Sequence, residues 1–343
     1  MIEQEIIINS SETPNDDYAE SSNTIKTDLP VSKARAIAQS YLNYISEISD
    51  EDDENSREAL YSLIENLENQ KNQSGTADDF HNFAVALARK DEYMLACRII
   101  AKGLNQFPKN VDLLADFLQY GVNCGRFEEC NKYYKTLKKI PCRRWTWRGF
   151  AFIIDYLKCL IERTDSEKEL CVKEREMLEI VAKFREVFPF NEETYRSEAD
   201  VYKSLNMHDK ELDTLREALK VLNIAPKCAL RCADILFERG IFDEATTVIK
   251  RCISDATQTQ TSVNEGYIYY LLALCMIADY QKNNREITDS VVLEIYSNFN
   301  VALTKLSDSS YADVIKTKVE TLISKTSIDV PVKYERLVEC IAE

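Results

Sequence analysis

Glycine and proline are scarce in this sequence, with 7 of each among 343 residues. A sheet protein rich in tight turns needs more of both, because glycine supplies left-handed backbone and proline fixes turn geometry. Leucine, alanine, glutamate, lysine and isoleucine are abundant instead, and these residues favour helix. The composition therefore predicts an all-α fold.

Positive charge is also in deficit, with 43 Lys and Arg against 58 Asp and Glu and a formal net charge of -15. This balance disfavours nucleic acid and anionic membrane as partners, since both present phosphates that cations must face. No apolar run approaches the roughly 20 residues of a membrane span. The start, MIEQEIIINSSETPN, has acids where a secretory signal has basic residues. We therefore expect a cytoplasmic protein with no membrane partner.

Residues that carry catalytic or metal chemistry are few or poorly spaced. The only histidines are His81 and His208, and the 11 cysteines include no CxxC pair. Cys228 and Cys232 lie one helical turn apart, but no second pair completes a four-ligand zinc site. No phosphate-binding glycine loop, GxSxG elbow or HExxH helix occurs. We predict buried thiols, no metal, no cofactor and no enzyme activity; an enzyme with an unrecognised site is an alternative.

The chain divides into four predicted segments. Residues 1–30 hold seven carboxylates and one lysine, so they cannot bury an apolar core and are predicted to be a disordered acidic tail. Residues 31–76 carry two amphipathic helices, which form either an N-terminal cap or a linker. Residues 77–259 hold repeated helical units, and residues 260–343 form divergent C-terminal helical hairpins or a cap.

Two hexads mark the repeated units: GRFEEC at 125–130 and GIFDEA at 240–245. Each lies between two stretches with apolar residues every three or four positions. Asp91 lies 34 residues before Gly125, so two helices and a turn recur with that period. We predict that glycine makes the turn, phenylalanine packs back across it, and the acids lie in the first turn of the second helix. Because the acids belong to a helix start, a general acid–base role for them is disfavoured.

In this pattern the chain resembles the tetratricopeptide repeat (TPR) family. Residues 77–110 match that motif at Phe80, Phe83, Ala84, Leu87, Tyr93, Ala96, Gly103 and Pro108, although Asp91 stands where the motif has its turn glycine. Further matches lie in residues 111–141, 142–225 and 226–254. The resemblance implies a TPR-like α-solenoid of five to seven antiparallel helical hairpins, wound into a right-handed superhelix. It also implies a concave face that receives a protein or peptide.

The positions that face the concave surface in TPR proteins give the predicted partner-binding residues. They are Arg89, Asn123, Arg148, Arg196, Lys203 and Arg231. Because this set is cationic although the chain is acidic, an acidic or C-terminal carboxylate segment is the predicted ligand. The chaperone-binding clamp of the family has Lys and Asn where this chain has His81 and Val85, so that particular role is not expected.

The stretch PCRRWTWRGF concentrates three arginines around the only two tryptophans. Trp147 falls on the apolar stripe of the next helix and is predicted to be buried, whereas Trp145 does not and is predicted to face a partner. Arginine and tryptophan together also stack on bases.

The predicted function is a non-catalytic scaffold, adaptor or regulatory subunit that recognises another protein. A nucleic-acid-associated regulator using residues 143–148 is one alternative. Another is self-association into a homo-oligomer through the C-terminal helices.

Overall fold

The computed structural model describes residues 30–47, 53–69, 75–260, 263–283 and 288–305. All regular secondary structure within these ranges is helical, which confirms the all-α prediction. The predicted tail lies outside the described residues except for Pro30. None of the described helices is both long and apolar enough to cross a membrane.

Fourteen α-helices are described, and consecutive helices pair into seven hairpins, within the predicted range of five to seven. Their bounds are α1 Val31–Glu47, α2 Asp53–Asn69, α3 Ala77–Ala88, α4 Tyr93–Gln106, α5 Val111–Asn123, α6 Phe127–Leu137, α7 Trp147–Glu162, α8 Glu167–Val187, α9 Glu192–Ser204, α10 His208–Val221, α11 Pro226–Glu238, α12 Phe242–Thr259, α13 Glu265–Lys282 and α14 Asp289–Lys305. A short 3-10 turn, Cys142–Arg144, precedes α7.

The described residues fall into two compact units, one that ends at Leu113 and one that begins at Leu114. In the first unit, α1 packs against α3 and α2 packs against α4. Arg98 of α4 joins α2 through two hydrogen bonds, with Nε donating to Glu68 Oε1 at 2.9 Å and Nη2 to Glu68 Oε2 at 2.6 Å. The first two helices are therefore stacked on the hairpin that follows them.

In the second unit, from α7 onward, the first helix of one hairpin packs beside the first helix of the next. The contacts run from α7 to α9, from α9 to α11 and from α11 to α13. The second helix of one hairpin also packs on the first helix of the next, as α10 does on α11 and α12 on α13. A hairpin of two amphipathic helices cannot bury its apolar stripes alone, so stacking is what completes the core.

Each of four hairpin turns contains one residue with a left-handed backbone. These residues are Asp91, Gly125, Asn206 and Gly240, with φ of 60°, 75°, 57° and 72°. In every case the next residue donates its N–H to the carbonyl five positions earlier, as in Arg126 to Gly121 at 2.8 Å and Ile241 to Leu236 at 2.9 Å. This bond closes the end of the first helix as a Schellman motif. Glycine, asparagine and aspartate adopt this conformation at lowest cost.

The phenylalanine of the second hexad packs back across its turn, as predicted. Phe242 packs against Phe237 at the end of α11, with ring centroids 5.5 Å apart. Sequence reasoning missed the second layer, which is a cation from the next hairpin. Arg163 lies 4.1 Å from the centroid of the Phe127 ring, and Lys282 lies 5.7 Å from that of Phe242. Each turn is therefore covered by the hairpin that follows it.

Close helix approach explains the small residue that ends each hexad. Cys130 and Ala245 are fully buried. A Cβ added to Gly121 on α5 would lie 2.4 Å from Cys130 Sγ, which no real pair of atoms tolerates. The two helices therefore meet where α5 has Gly121 and α6 has Cys130. A small residue at the last position of the hexad was predicted for this reason.

Alanine in place of Gly125 or Gly240 tests the cost of the left-handed turn. An added Cβ would meet no atom within 4 Å at Gly125 and only Phe242 Cζ at 3.8 Å at Gly240. We therefore expect a loss of about 1–2 kcal/mol from backbone strain alone, measured by urea unfolding. Asparagine at either position should cost less, and Asn206→Gly should cost nothing. Equal losses for alanine and asparagine would contradict this explanation.

Candidate interaction surface

The first helices of the second unit are joined to one another by polar side chains. Three contacts between two side chains are described: Arg148 with Asp116, Arg231 with Asp200, and Tyr267 with Asp234. They join α5 to α7, α9 to α11, and α11 to α13. We call this surface the first-helix face. It is the surface on which these groups are presented by the first helices α5, α7, α9, α11 and α13.

The predicted arginines on this face are paired with carboxylates. Arg148 Nη2 lies 2.9 Å from Asp116 Oδ1, and Arg196 Nη1 lies 2.6 Å from Glu193 Oε2 in the same helix. Arg231 contacts Asp200 and also places Nη2 2.6 Å from Glu211 Oε1. The predicted residues are cationic, but their carboxylate partners lie beside them, so the face presents both signs of charge.

The remaining predicted residues are exposed but do not form one cluster. Lys203 lies in the last turn of α9, and Asn123 is the last residue of α5. Asn123 Nδ2 donates to the carbonyl of Gln119 at 2.9 Å, so this side chain also closes its own helix. Arg89 caps α3 and belongs to the first unit, whereas the other predicted residues belong to the second.

These ion pairs differ in what they contribute. Asp116 is only 1% exposed, and Glu211 is likewise buried, so their arginines neutralise charges that water cannot reach. The pair of Arg196 and Glu193 is partly exposed and lies within one helix, where such a pair stabilises by about 0.2–0.5 kcal/mol. Arg148 and Arg231 are therefore structural, while Arg196 can exchange its partner at little cost.

Sequence reasoning missed the acids that pair with the predicted arginines. Asp116 precedes Arg148 by 32 residues and Asp200 precedes Arg231 by 31 residues. The signal was present in the sequence, since an acid and an arginine separated by nearly one repeat lie on adjacent first helices. It becomes readable only once the stacking of the hairpins is known.

The two tryptophans are placed opposite to the prediction. Trp145 is 3% exposed, and its Nε1 donates to the carbonyl of Ile140 at 2.9 Å, so it does not face a partner. Trp147 is 42% exposed. The reason is the helix start: Thr146 caps α7 by accepting from the backbone N–H of Gly149 at 3.0 Å. Trp147 is therefore the first helical residue, and the extended residue before the cap folds inward.

A second set of ion pairs joins the second helices of the second unit. Its members are Lys138 with Glu176, Arg185 with Glu217, Arg216 with Glu244, and Lys250 with Glu294. They join α6 to α8, α8 to α10, α10 to α12, and α12 to α14. Both helices of a hairpin thus reach the next hairpin through charged side chains.

Two partly buried acids, Glu198 and Asp234, have pKa values raised by burial, a feature that they share with many catalytic acids. Burial raises the pKa of Glu198, although Arg185 nearby opposes that shift. Arg185 places its guanidinium 3.9 Å from the centroid of the Tyr195 ring and its Nε 3.4 Å from Glu198 Oε2. This cluster joins α8 to α9 and so packs one hairpin on the next. Ion-pair clusters that hold a fold together also perturb pKa values, so the raised pKa of Glu198 fits a structural role.

The cysteines are small core residues over most of the described chain. The ten within the described ranges are not joined in disulfides, and six of them are buried. Burial raises the pKa of the Cys130 and Cys232 thiols to about 12, so both stay protonated and unreactive near neutral pH. Cys171 is exposed, contrary to the prediction of buried thiols. Across the described residues, no cluster of His, Cys, Asp and Glu could hold a metal ion.

With helical hairpins that recur at 34 residues and stack through their first helices, the chain has a TPR-like α-solenoid fold. No family model and no curated protein matches its sequence.

Among solved structures, a thermophilic TPR protein of Thermus thermophilus is 18% identical, with a TM-score of 0.43 over 53% of this chain and 92% of that chain. A tetratricopeptide repeat protein of Parabacteroides merdae is 12% identical, with a TM-score of 0.43 over 85% and 99%. Human IFIT1, solved as a dimer with PPP-AAAA, is 12% identical, with a TM-score of 0.38 over 90% and 70%.

The buried pair on the first-helix face predicts a large effect for one arginine. Arg148→Ala should lower the free energy of unfolding by about 3 kcal/mol, because Asp116 loses its arginine while staying buried. Adding Asp116→Asn should restore part of that loss. Arg239→Ala is the matched control, since its partner Asp209 is 92% exposed, and it should cost less than about 1 kcal/mol. Similar losses for the two arginines in urea unfolding would refute this ranking.

Proposed function

We propose that this chain is a non-catalytic adaptor or scaffold that binds a segment of another protein along the first-helix face. The observation that carries the proposal is the row of partly exposed polar contacts between successive first helices. Paired charges of both signs give a surface that discriminates between partners through electrostatic complementarity. They do not form a nucleophile and base poised for catalysis, because the arginines are already committed to their carboxylates.

Within this face, α9 offers the groups best suited to an acidic segment. Arg196 and Lys203 are seven residues apart, so they lie on the same side of the helix two turns from each other. Within the described ranges, the ion pair recorded for Arg196 is with Glu193 of its own helix, and Lys203 is exposed. A carboxylate of the partner can replace Glu193 beside Arg196 at little cost, because both side chains of this pair are already partly exposed to water. The ligand proposed for this face is therefore an acidic or C-terminal protein segment.

Charge reversal on α9 tests the proposal. The wild-type chain and an Arg196→Glu/Lys203→Glu variant are used to capture proteins from a lysate of the source organism, followed by mass spectrometry. We expect the variant to lose a protein that the wild type retains, with an affinity at least about tenfold lower for the purified partner, equivalent to about 1.4 kcal/mol.

Two controls make the outcome specific. Lys250→Glu reverses an exposed cation on a second helix and should leave capture unchanged. Arg148 is not reversed, because a second acid beside buried Asp116 would unfold the protein. Retention of the same proteins by the α9 variant would reject the proposal, as would a captured complex that nuclease removes.

A further inference from the structure

We propose a second binding surface, the aromatic edge, formed by Arg143, Arg144, Trp147 and Phe190. Its ligand is an acidic segment of another protein that carries an apolar anchor side chain. The inference rests on the proposed function only in that both require a protein partner. The surface itself is distinct from the α9 groups described above.

The two exposed aromatic residues lie at the starts of neighbouring helices. Trp147 is the first residue of α7, and Phe190 lies two residues before α9. As first helices of consecutive hairpins, α7 and α9 pack side by side. Phe150, one turn into α7, has its ring centroid 6.2 Å from that of Phe188, which ends α8. The start of α7 and the turn before α9 therefore belong to the same edge of the second unit.

Phe190 is exposed from a turn that is tightly held. Its side chain is 79% exposed, the largest value among the exposed apolar residues described. The backbone before it is fixed from α9, because Thr194 Oγ1 donates to the Phe188 carbonyl and Tyr195 Oη donates to the Pro189 carbonyl, both at 2.9 Å. An aromatic side chain has only two torsion angles, so on a fixed backbone it loses little entropy when a partner covers it.

Trp147 is presented in the same way. The Thr146 cap fixes the first turn of α7, and the ring of Trp145 packs beneath this turn with its centroid 4.9 Å from that of Phe150. Single exposed apolar side chains are ordinary. Two large aromatics held on one edge by buried supports are the arrangement that dominates the energy of protein interfaces, where Trp, Tyr and Arg are enriched.

The charge beside these aromatics selects the ligand. Residues 138–148, KKIPCRRWTWR, contain five cations and no acid in a chain of net charge -15. The structure records ion pairs for Lys138 and Arg148, whereas Arg143 and Arg144 are exposed in the 3-10 turn. A segment bearing carboxylates therefore meets complementary charge here and repulsion over much of the remaining surface.

An acidic protein segment fits this edge better than nucleic acid does. Two exposed arginines neutralise few phosphates, and the start of α9 adds Glu192 and Glu193 beside Phe190. A strand with a charge on every nucleotide is repelled by those acids. A protein segment can place its carboxylates near Arg143 and Arg144 and an apolar side chain over the aromatic rings.

Fluorescence anisotropy with a labelled synthetic peptide tests the proposal. The peptide is rich in Asp and Glu and carries two Leu and one Phe; one control peptide replaces the apolar residues with Ser, and another replaces the acids with Asn and Gln. We expect the wild-type chain to bind the first peptide at least about tenfold more tightly than either control. Phe190→Ser, Trp147→Ser and Arg143→Glu/Arg144→Glu should each weaken binding about tenfold or more.

Matched variants separate this surface from the first-helix face. Leu293→Ser removes an exposed apolar residue elsewhere, and it should bind the peptide like the wild type, as should Arg196→Glu/Lys203→Glu. Circular dichroism melting confirms that each variant is folded. If only the α9 variant loses the peptide, the aromatic edge is rejected while the proposed function stands.

Three further outcomes overturn the proposal. The first is failure of the wild-type chain to prefer the acidic, apolar peptide. The second is tighter binding of a single-stranded RNA that displaces the peptide and depends on Trp147 and Arg143. The third is sedimentation showing that Phe190→Ser dissolves a dimer, which would make a second copy of this chain the occupant.

Discussion

A left-handed residue at the end of the first helix is the constraint on which the rest of the structure depends. It reverses the chain within a few residues and lets the next N–H reach the last turn of the first helix, as Arg126 reaches Gly121. The second helix then starts at a fixed place, so its apolar stripe meets that of the first. Repeating this geometry 34 residues apart, as at Asn206 and Gly240, gives hairpins alike enough to stack.

Charged side chains, rather than apolar contacts alone, fix how one hairpin is placed on the next. Arg148 reaches Asp116 between first helices, and Arg216 reaches Glu244 between second helices. A chain of net charge -15 repels itself, and placing its cations between hairpins counters that repulsion where stacking must occur. Buried pairs such as the one at Asp116 contribute more to register than to net stability, since desolvation offsets much of their attraction.

The sequence predicted what is local and failed on what depends on stacking. The helix pairs, their turns at Gly125 and Gly240 and the stripe of Phe80 and Phe83 follow from residue periodicity and backbone preference. The acids that pair with the arginines could not be predicted from the sequence, because they lie on a helix one repeat away. The burial of the two tryptophans was predicted the wrong way round, because an apolar stripe does not show which residue begins a helix. The cap at Thr146 sets that residue.

The division between structural and exposed residues determines where specificity can reside. Replacing Arg148 or Arg231 would leave buried Asp116 or Glu211 without its arginine, so both arginines hold the fold whatever the partner is. Phe190 and Trp147 contribute little to the core, since their rings are exposed and their turns are held by other residues. Two rigid aromatics beside two exposed arginines are thus explained more simply by recognition of a partner than by folding.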